Sequence, residues 1–599
     1  MCNKNLTFII MFGLLISNSL TCKKNSDNII SDYGEICIAE DFKTTAVEAL
    51  AKKFGNHEVA EDYVWNDSEI IQIVLDNNLI IINGGGATIN GNRVTITSAG
   101  TYSISGTLDN GQIVVDTEDV GIVRLILNGV NLNCSSSSPL FINKAKKTIL
   151  VLNDSTQNYI KDGESYIFDN LEDDEPNAAI FSKNNLTICG EGALEVNGNY
   201  KNGISSKDGL VIKGGTIKVN SIDDGIRGKD YLIVRKGNIS LNSGGDGLKS
   251  DNDTDNTKGY IYIENGIFDI KSNNDALQGE TDVLINSCEM NITSGGGSSA
   301  IKNQNISAKG IKATINVIID KGTFVFNTTD DALHSNSSLI INAGTFEISS
   351  GDDGIHSDST LGINGGEIRI KKSYEGIESS VISITSGDIH LISSDDGLNV
   401  AGGNDGSGMN GWSVPITDSR NRLYMSGGHT VIESNGDGID INGSVLITGG
   451  DLIMNGPTAN DNGAIDYDGK FSISGGFILA AGSSGMAQAP GTSSTQYSIL
   501  LNFNTAQQAG NLIHIENSEG EELFTFKPVK RYQSIAFSSS KLKKGFTYYV
   551  FTGGSSTGEL IDNQYIGGKY APGNQYTSFT VSSIVTKVGN SGFTSPGGL

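Results

Sequence analysis

The sequence predicts an all-β fold, a right-handed parallel β-helix with coils of about 22 residues. The first observation is a short repeated motif, an acidic residue followed by Gly or Ala and then by Ile or Leu, as in Asp224-Gly225-Ile226. The second is a pair of short runs between motifs in which apolar and polar residues alternate with the period of a strand. Three short strands in one coil cannot form a sheet alone, so each must pair with its counterpart one coil away.

Eleven copies of the motif indicate the extent of the solenoid. Because the third residue is aliphatic in every copy, it is predicted to form an inward-facing stack. Residues 60–200 alternate less regularly and are expected to form the first coils, and longer strands after residue 491 predict a small C-terminal β module that caps the open edge. The full copies begin at Asp224, Asp246, Asp275, Asp331, Asp353, Glu375, Asp396 and Asp437, and degenerate copies begin at Asn202, Ser299 and Gly463.

Charge and composition restrict the possible partners. The chain of 599 residues has a net charge of −26, so it lacks the basic surface that nucleic-acid binding requires. An acidic surface suits metal cations and neutral or cation-bridged ligands instead.

The N-terminus has the pattern of an export signal. Lys4 precedes an apolar run over residues 6–20, and Thr21-Cys22 follows, which resembles a bacterial lipoprotein cleavage site. We expect a signal peptide with lipidation at Cys22 (1–22), a polar tether (23–60), the β-helix (61–490) and the C-terminal module (491–599). The protein is predicted to be exported and held by a lipid anchor on the bacterial membrane, at the outer membrane or cell surface. The anchor is the only predicted contact with the membrane. Cleavage elsewhere with plain secretion is the alternative.

Coil stacking predicts a column of carboxylates about 4.8 Å apart. Two carboxylates at that distance repel by roughly 1 kcal/mol in water, which a hard cation such as Ca²⁺ relieves. The alternative is turn chemistry, in which each Asp bonds its own backbone. The candidate Ca²⁺ ligands form three clusters: Asp223, Asp224, Asp246, Asp251 and Asp253; Asp330, Asp331, Asp352, Asp353 and Asp358; and Asp395, Asp396 and Asp405.

A second column lies three residues after each motif acid and is predicted to face solvent. Its polar, mixed-sign side chains fit either a groove for a sugar chain, with His334 and His356 as ligand contacts, or a simple solvated face. Trp412 and Tyr424, in the long insertion after Leu398, are candidate aromatic platforms for a sugar ring, and loop packing is the alternative for Trp412. The predicted members are Ser205, Arg227, Lys249, Gln278, Lys302, His334, His356, Glu378 and Asn399.

Three longer strings carry a family resemblance: residues 100–116 (GTYSISGTLDNGQIVVD), 402–408 (GGNDGSG) and 483–496 (SSGMAQAPGTSSTQ). With the aspartate-rich repeats, they resemble the bacterial carbohydrate-binding domain-containing β-helix proteins. Those proteins are similar in fold to family 9 polysaccharide lyases, carry calcium, and are associated with cellulose and pectin-type acidic polysaccharides. The resemblance implies a calcium-dependent glycan-binding role, with Asp223, Asp224, Asp246 and Asp251 as the matching calcium ligands.

Three functions remain open at this point. The favoured one is calcium-dependent binding of a plant-type polysaccharide, pectin-like or cellulosic, without cleavage. The second is a pectate-type lyase, in which Ca²⁺ acidifies the uronate C–H and Lys249, or else Lys302, acts as the base. Neighbouring carboxylates keep a lysine protonated, which weighs against the lyase. The third function is a cell-surface adhesin.

Overall fold

The computed structural model describes residues 40–589, apart from residues 78, 169, 171, 304 and 402–420. The described chain is nearly all β, and 45 of its strands form one continuous, mostly parallel network that winds around a single core. The predicted parallel β-helix is therefore confirmed. Each coil contributes a strand to each of three faces.

The first face contains the strands that follow the motif. Ile226 pairs in register with Leu248, which pairs with Leu277, and these three side chains are fully buried in the predicted aliphatic stack. Coils approach closely at the motif, since a Cβ on Gly247 would lie 2.5 Å from the Ala276 carbonyl oxygen. The strands of this face are Arg93–Ile96, Gln112–Asp116, Leu140–Lys144, Ala178–Ser182, Asn202–Ser206, Ile226–Gly228, Leu248–Ser250, Leu277–Gly279, Ile311–Ala313, Leu333–Ser335, the first parts of Ile355–Ile363 and Ile377–Ile384, Leu398–Val400, Ile439–Ile441 and Ile465–Tyr467.

One predicted copy of the motif is wrong. Ile301 of Ser299-Ala300-Ile301 is 96% exposed, so this segment is not part of the inward stack. The coil position belongs to Lys309-Gly310-Ile311, whose Ile311 pairs with Leu277 on one side and Leu333 on the other. A lysine therefore occupies the position that an acid holds in the neighbouring coils.

The second face follows the first around each coil. Its strands are Ile71–Asp76, Gly100–Leu108, Val123–Cys134, Thr148–Leu152, Leu186–Gly190, Gly209–Ile212, Tyr231–Val234, Tyr260–Ile263, Asp282–Ile285, Asn316–Ile319, Ser338–Ile341, the ends of Ile355–Ile363 and Ile377–Ile384, the starts of Arg422–Ser434 and Ser444–Asn455, and Phe471–Ile473. Two antiparallel hairpins begin the solenoid, formed by Ile71–Asp76 with Leu79–Asn83 and by Ala87–Asn90 with Arg93–Ile96.

The third face completes each coil. Its inward side chains include Phe324 and Phe346, which stack with ring centroids 4.8 Å apart. Its strands are the ends of Gly100–Leu108 and Val123–Cys134, Gln157–Asp162, Ala193–Gly198, Thr216–Ser221, Asn238–Ser243, Ile267–Ser272, Glu289–Ser294, Thr323–Thr328, Thr345–Ser350, Glu367–Lys372, Asp388–Ser393, the ends of Arg422–Ser434 and Ser444–Asn455, and Phe477–Gly482.

The segment before the solenoid packs on the second face, so residues 42–60 do not form the predicted tether. A short helix, Ala46–Leu50, buries Ala46 against the aromatic and aliphatic side chains of that face. Lys53 forms an ion pair with Asp282 at 2.6 Å, and Asp62 accepts hydrogen bonds from buried Lys147 at 2.8 Å. Three short 3₁₀ helices flank the segment, Glu40–Lys43, Ala60–Tyr63 and Asp67–Glu69.

The C-terminal β module adjoins the last coil, as predicted. Strand Tyr532–Ser538 pairs antiparallel with both Phe477–Gly482 of the solenoid and Ser498–Gln507, and Val585–Val588 completes this edge. A separate six-stranded sheet contains Ile513–Asn517, Glu522–Phe526, Thr547–Thr552, Glu559–Ile561, Gln564–Ile566 and Asn574–Thr580, and Ser555–Ser556 pairs with Tyr570–Ala571. None of the helices in the described ranges has the length and apolar character needed to cross a membrane.

Candidate functional site

The motif acids form a column along the first face, and their side chains bond from coil to coil. Asp224 Oδ1 accepts a hydrogen bond from the backbone N–H of Asp246 at 3.1 Å, and Asp246 Oδ1 accepts one from Asp275 at 3.0 Å. The bond therefore joins two coils, whereas turn chemistry predicted a bond within one. The same contact links Asp275 to Lys309, Asp331 to Asp353, Asp353 to Glu375, Asp396 to Asp437 and Asp437 to Gly463.

In the coils around residues 224–312, lysines neutralise this acidic column. Lys249, three residues after Asp246, places its Nζ 2.7 Å from Asp246 and 3.4 Å from Asp224. Burial alone would lower the pKa of Lys249, but these carboxylates outweigh it and raise the pKa above its ordinary value. Lys312 lies one coil beyond Asp275, as Lys249 lies one coil beyond Asp224, and its Nζ is 3.6 Å from Asp275.

Lys309 neutralises the second predicted cluster from within the column. Its buried Nζ lies 2.5 Å from Asp331 and 3.1 Å from Asp330. Burial would raise the pKa of Asp331, but the positive charge of Lys309 outweighs this effect and holds the pKa well below its usual range. Lys302 lies in a different insertion, between strands Glu289–Ser294 and Ile311–Ala313, and not in the second column where the sequence placed it. It forms ion pairs with Asp330 and Asp352. Lys312 takes its place in that column.

The two histidines of the second column are buried, not solvent-facing as predicted. His334 Nδ1 lies 2.8 Å from Asp331, and His356 Nδ1 lies 2.9 Å from Asp353. Burial would lower the pKa of His356, but hydrogen bonds to Asp353 and Asp358 raise it to about 11. His356 therefore serves as a counter-charge for the acids around it.

The last coils lack this compensation. Asp396, Asp437 and Asp440 bring one oxygen each within 4.8 Å of one another, and no Lys, Arg or His in the described ranges forms an ion pair with any of the three. Burial, together with repulsion from neighbouring carboxylates, raises the pKa of Asp396 and Asp440 to about 7 and that of Asp437 to about 8. Asp466 follows Asp440 in the second column and adds to the negative potential. We call Asp396, Asp437, Asp440 and Asp466 the acidic cluster.

The donor set of the acidic cluster fits a hard cation. Its donors are carboxylate oxygens, which are the ligands of Ca²⁺, and burial together with mutual repulsion favours the uptake of protons or a cation by these carboxylates. The Lys249 and Lys309 regions already contain their cations, so the acidic cluster is the better calcium candidate.

A polar cleft of about 360 Å³ lies along the first face between the coils at residues 246 and 312. Asp246, Lys249, Gln278 and Lys312 line its floor, and the insertion contributes Ser307 to its wall. The Oε1 atom of Gln278 is buried and has no hydrogen-bond partner among the residues described. Three further members of the second column share this feature, each with a buried side-chain oxygen and no such partner: Ser205, Glu378 and Asn399.

The other predicted site residues are dispersed. Asp223 and Asp253 are exposed, and Asp251 pairs with Arg227 at 2.8 Å. The prediction that Tyr424 lies in the insertion after Leu398 is wrong, because this residue belongs to strand Arg422–Ser434. Its hydroxyl oxygen accepts a hydrogen bond from Arg422 at 3.1 Å. Asp395 is half-buried beside Asp396. Asp405, Trp412 and the lipidation site Cys22 lie outside the described residues.

Sequence reasoning missed Asp437, Asp440 and Asp466 as site residues. A signal was present, because Asp437-Gly-Ile-Asp440 carries a second acid at a position where most other copies carry a basic or neutral residue. It also missed Lys309, because the motif was defined by an acid at that position.

The fold and the cleft define a β-solenoid with a polar depression on its first face. Residues 90–354 match the family model described as carbohydrate-binding domain-containing protein. A relative from Acetivibrio thermocellus with the same description is 39% identical over 151 residues, which is 25% of this chain and 53% of the relative. The chain thus spans about half the length of this curated relative.

A solved structure described as the polysaccharide lyase-like protein from C. thermocellum, a gadolinium derivative, is 34% identical, with a TM-score of 0.39. The match covers 42% of this chain and 96% of that one. Residues 90–354 thus match the carbohydrate-binding domain-containing family model, and the resemblance seen in the sequence is confirmed. The cleft lies inside the matched region, and the acidic cluster lies beyond it.

Proposed function

We propose that the protein binds an acidic, plant-type polysaccharide along its first face, holds Ca²⁺ at the acidic cluster, and does not cleave the chain. The observation that carries the proposal is the buried, unpartnered Oε1 of Gln278 in the cleft. A buried acceptor without a donor is costly, and a turn of the Gln278 amide toward the cleft would let a sugar hydroxyl supply the missing donor.

The cleft has the chemistry that a sugar chain needs. Amine, amide and carboxylate groups lie side by side there, which suits a ligand whose hydroxyls both donate and accept hydrogen bonds. An extended polymer along the face would reach from Gln278 to Asp440, six strand spacings or about 29 Å.

The lysines argue against cleavage. A β-elimination base must be neutral in order to take a proton, whereas the carboxylates around Lys249 raise its pKa. Lys302, the second candidate, lies outside the floor of the cleft and forms ion pairs with Asp330 and Asp352.

Calcium explains how this chain would hold a polyanion. With a net charge of −26, the protein repels a uronate polymer unless cations lie between them. The acidic cluster would hold Ca²⁺ through Asp396, Asp437 and Asp440, and the ion would supply positive charge for a uronate carboxylate. The proposal includes export and a lipid anchor at Cys22, which would place this face outside the cell.

The test combines retention with product detection. Purified protein is incubated with polygalacturonate or cellulose, with Ca²⁺ or EGTA, while bound protein and the absorbance of unsaturated product are both measured. We expect Ca²⁺-dependent retention on polygalacturonate without product. Gln278→Leu should weaken retention at least tenfold, whereas the control Gln72→Leu, at an exposed position on another face, should not.

Two outcomes would contradict the proposal. Unsaturated product that disappears in Lys249→Ala would establish the lyase. Retention that is unaffected by Gln278→Leu and by EGTA would show that the cleft and the calcium cluster are not the binding surface.

A further inference from the structure

A second group of metal-type ligands lies on the third face, away from the acidic cluster. Asp388 and His390 lie on strand Asp388–Ser393, and His429 pairs in register with Asp388 from strand Arg422–Ser434. Alternation along the strand turns Ile389 and Leu391 into the core, so Asp388 and His390 both point outward. The pairing thus places two imidazoles and a carboxylate on one outer surface.

The C-terminal module adds a second carboxylate to this group. Asp562 lies in the turn between strands Glu559–Ile561 and Gln564–Ile566, at a φ of 47°. Its Oδ2 lies 2.9 Å from His429 Nε2, and its Oδ1 lies 3.5 Å from His390 Nε2. Both imidazole Nε2 atoms therefore face the same carboxylate, which belongs to a different part of the chain.

The distances leave room for an ion. Asp388, His390 and His429 each offer one ligand atom, and these atoms lie within 4.8 Å of one another. His390 Nε2 is buried, and it makes no hydrogen bond to any residue that the structure describes, with Asp388 Oδ1 at 3.4 Å and Asp562 Oδ1 at 3.5 Å. Two carboxylate oxygens thus lie near His390 Nε2 without forming a hydrogen bond to it, and a metal ion would satisfy this nitrogen.

The surrounding residues resemble the outer shell of a metal site. Asp451 Oδ2 lies 3.6 Å from His429 Nδ1, the nitrogen that faces away from Asp562. Arg369 Nη2 lies 2.6 Å from Asp388 Oδ2, which fixes that carboxylate while its Oδ1 faces His390. Carboxylates behind ligating histidines and hydrogen bonds to ligating carboxylates orient ligands in this way.

We propose that His390, His429, Asp388 and Asp562 form a site for a divalent transition metal of the zinc class, which would link the C-terminal module to the solenoid. Two imidazole nitrogens with carboxylate oxygens suit Zn²⁺, Co²⁺ or Ni²⁺ and are unlike the all-oxygen sets of Ca²⁺ and Mg²⁺. The site shares no residue with the acidic cluster and does not depend on the proposed polysaccharide binding. The ion would hold Asp562 against two neighbouring coils.

The test uses the tag-free mature chain and Co²⁺ as a spectroscopic probe. Excess Ca²⁺ is present throughout to occupy oxygen-only sites. We expect visible d–d absorption that saturates at one Co²⁺ per chain and is abolished by one equivalent of Zn²⁺. His390→Gln, His429→Gln and Asp562→Asn should each weaken Co²⁺ binding at least tenfold.

The control is Glu347→Gln. Glu347 pairs with Lys371 at 2.5 Å on the same face, two coils before His390, and is predicted to leave Co²⁺ binding unchanged. Circular dichroism identifies any variant that fails to fold. If a histidine variant does not fold, Asp562→Asn still tests the proposal, because it is a near-isosteric change in a surface turn. Absence of d–d absorption in the wild type, or its persistence in the folded variants, would overturn the proposal.

Discussion

Asp440→Asn tests the idea that the acidic cluster exists for a cation. The unfolded pKa of an aspartate is about 3.8, and the folded value for Asp440 is about 7. Because the folded state binds the proton of Asp440 more tightly than the unfolded state does, this proton stabilises the fold. The contribution is fully present below about pH 4 and is lost as pH rises through about 7. Without a cation, the wild type therefore becomes less stable from pH 4 to pH 8, and the asparagine variant lacks this loss at residue 440.

The size of the effect follows from the shift. About three pKa units correspond to roughly 4 kcal/mol, and we halve this to about 2 kcal/mol because Asp440 is half-buried and solvent screens its charge. In EGTA at pH 8, Asp440→Asn should therefore be more stable than the wild type by about 2 kcal/mol, and the difference should nearly disappear at pH 4. With Ca²⁺ the order should reverse, because only the wild type gains binding energy.

Thermal and urea unfolding of both proteins, with EGTA or Ca²⁺ at pH 4, 6 and 8, measures these differences. Asp246→Asn is the matched control, because it removes an acid of the same face that Lys249 already neutralises at 2.7 Å. It should leave the response to Ca²⁺ unchanged. If Asp440→Asn is less stable than the wild type in EGTA at pH 8, or keeps the full response to Ca²⁺, the reasoning is refuted.

Three further predictions concern the buried lysine, the response to Ca²⁺ and the lipid anchor. Lys309→Met should destabilise the protein by about 3–5 kcal/mol in urea unfolding, because it removes the buried cation that Asp330 and Asp331 share, whereas Lys218→Met at an exposed pair should change stability by less than about 1 kcal/mol. The rise in melting temperature caused by Ca²⁺ should grow between pH 5 and pH 8.5, since Ca²⁺ competes with protons at Asp396 and Asp437; a constant rise contradicts this. Cys22→Ser should abolish metabolic fatty-acid labelling, and equal labelling of both forms would exclude the anchor.

The solenoid was predictable because its signals are local and repeated. The aliphatic residue after Gly or Ala must fill the interior of every coil, and Ile226, Leu248 and Leu277 do so. The same criterion failed at Ser299, where three matching letters occur in an insertion. Solvent exposure distinguishes the two segments, because Ile301 is exposed and Ile311 is buried. A three-residue motif does not predict that exposure.

The charge balance of the acidic column was not predictable from the motif. Whether a carboxylate is neutralised depends on a side chain one coil away, and coil lengths vary with each insertion. Lys309 follows Asp275 by 34 positions in the chain but donates its backbone N–H to that carboxylate at 2.8 Å. The sequence therefore placed the strongest calcium cluster around Asp246, where the structure shows an ion pair with Lys249.

The two proposed metal sites can be separated by their ligands, which makes each a control for the other. Asp440 belongs to an all-oxygen group, which favours Ca²⁺, whereas His429 belongs to a nitrogen-containing group, which favours the zinc class. Asp440→Asn should therefore remove the response to Ca²⁺ and leave Co²⁺ absorption intact, and His429→Gln should do the reverse. If either variant removes both responses, the sites are coupled through the coils between them, and a single metal centre would have to account for both sets of residues.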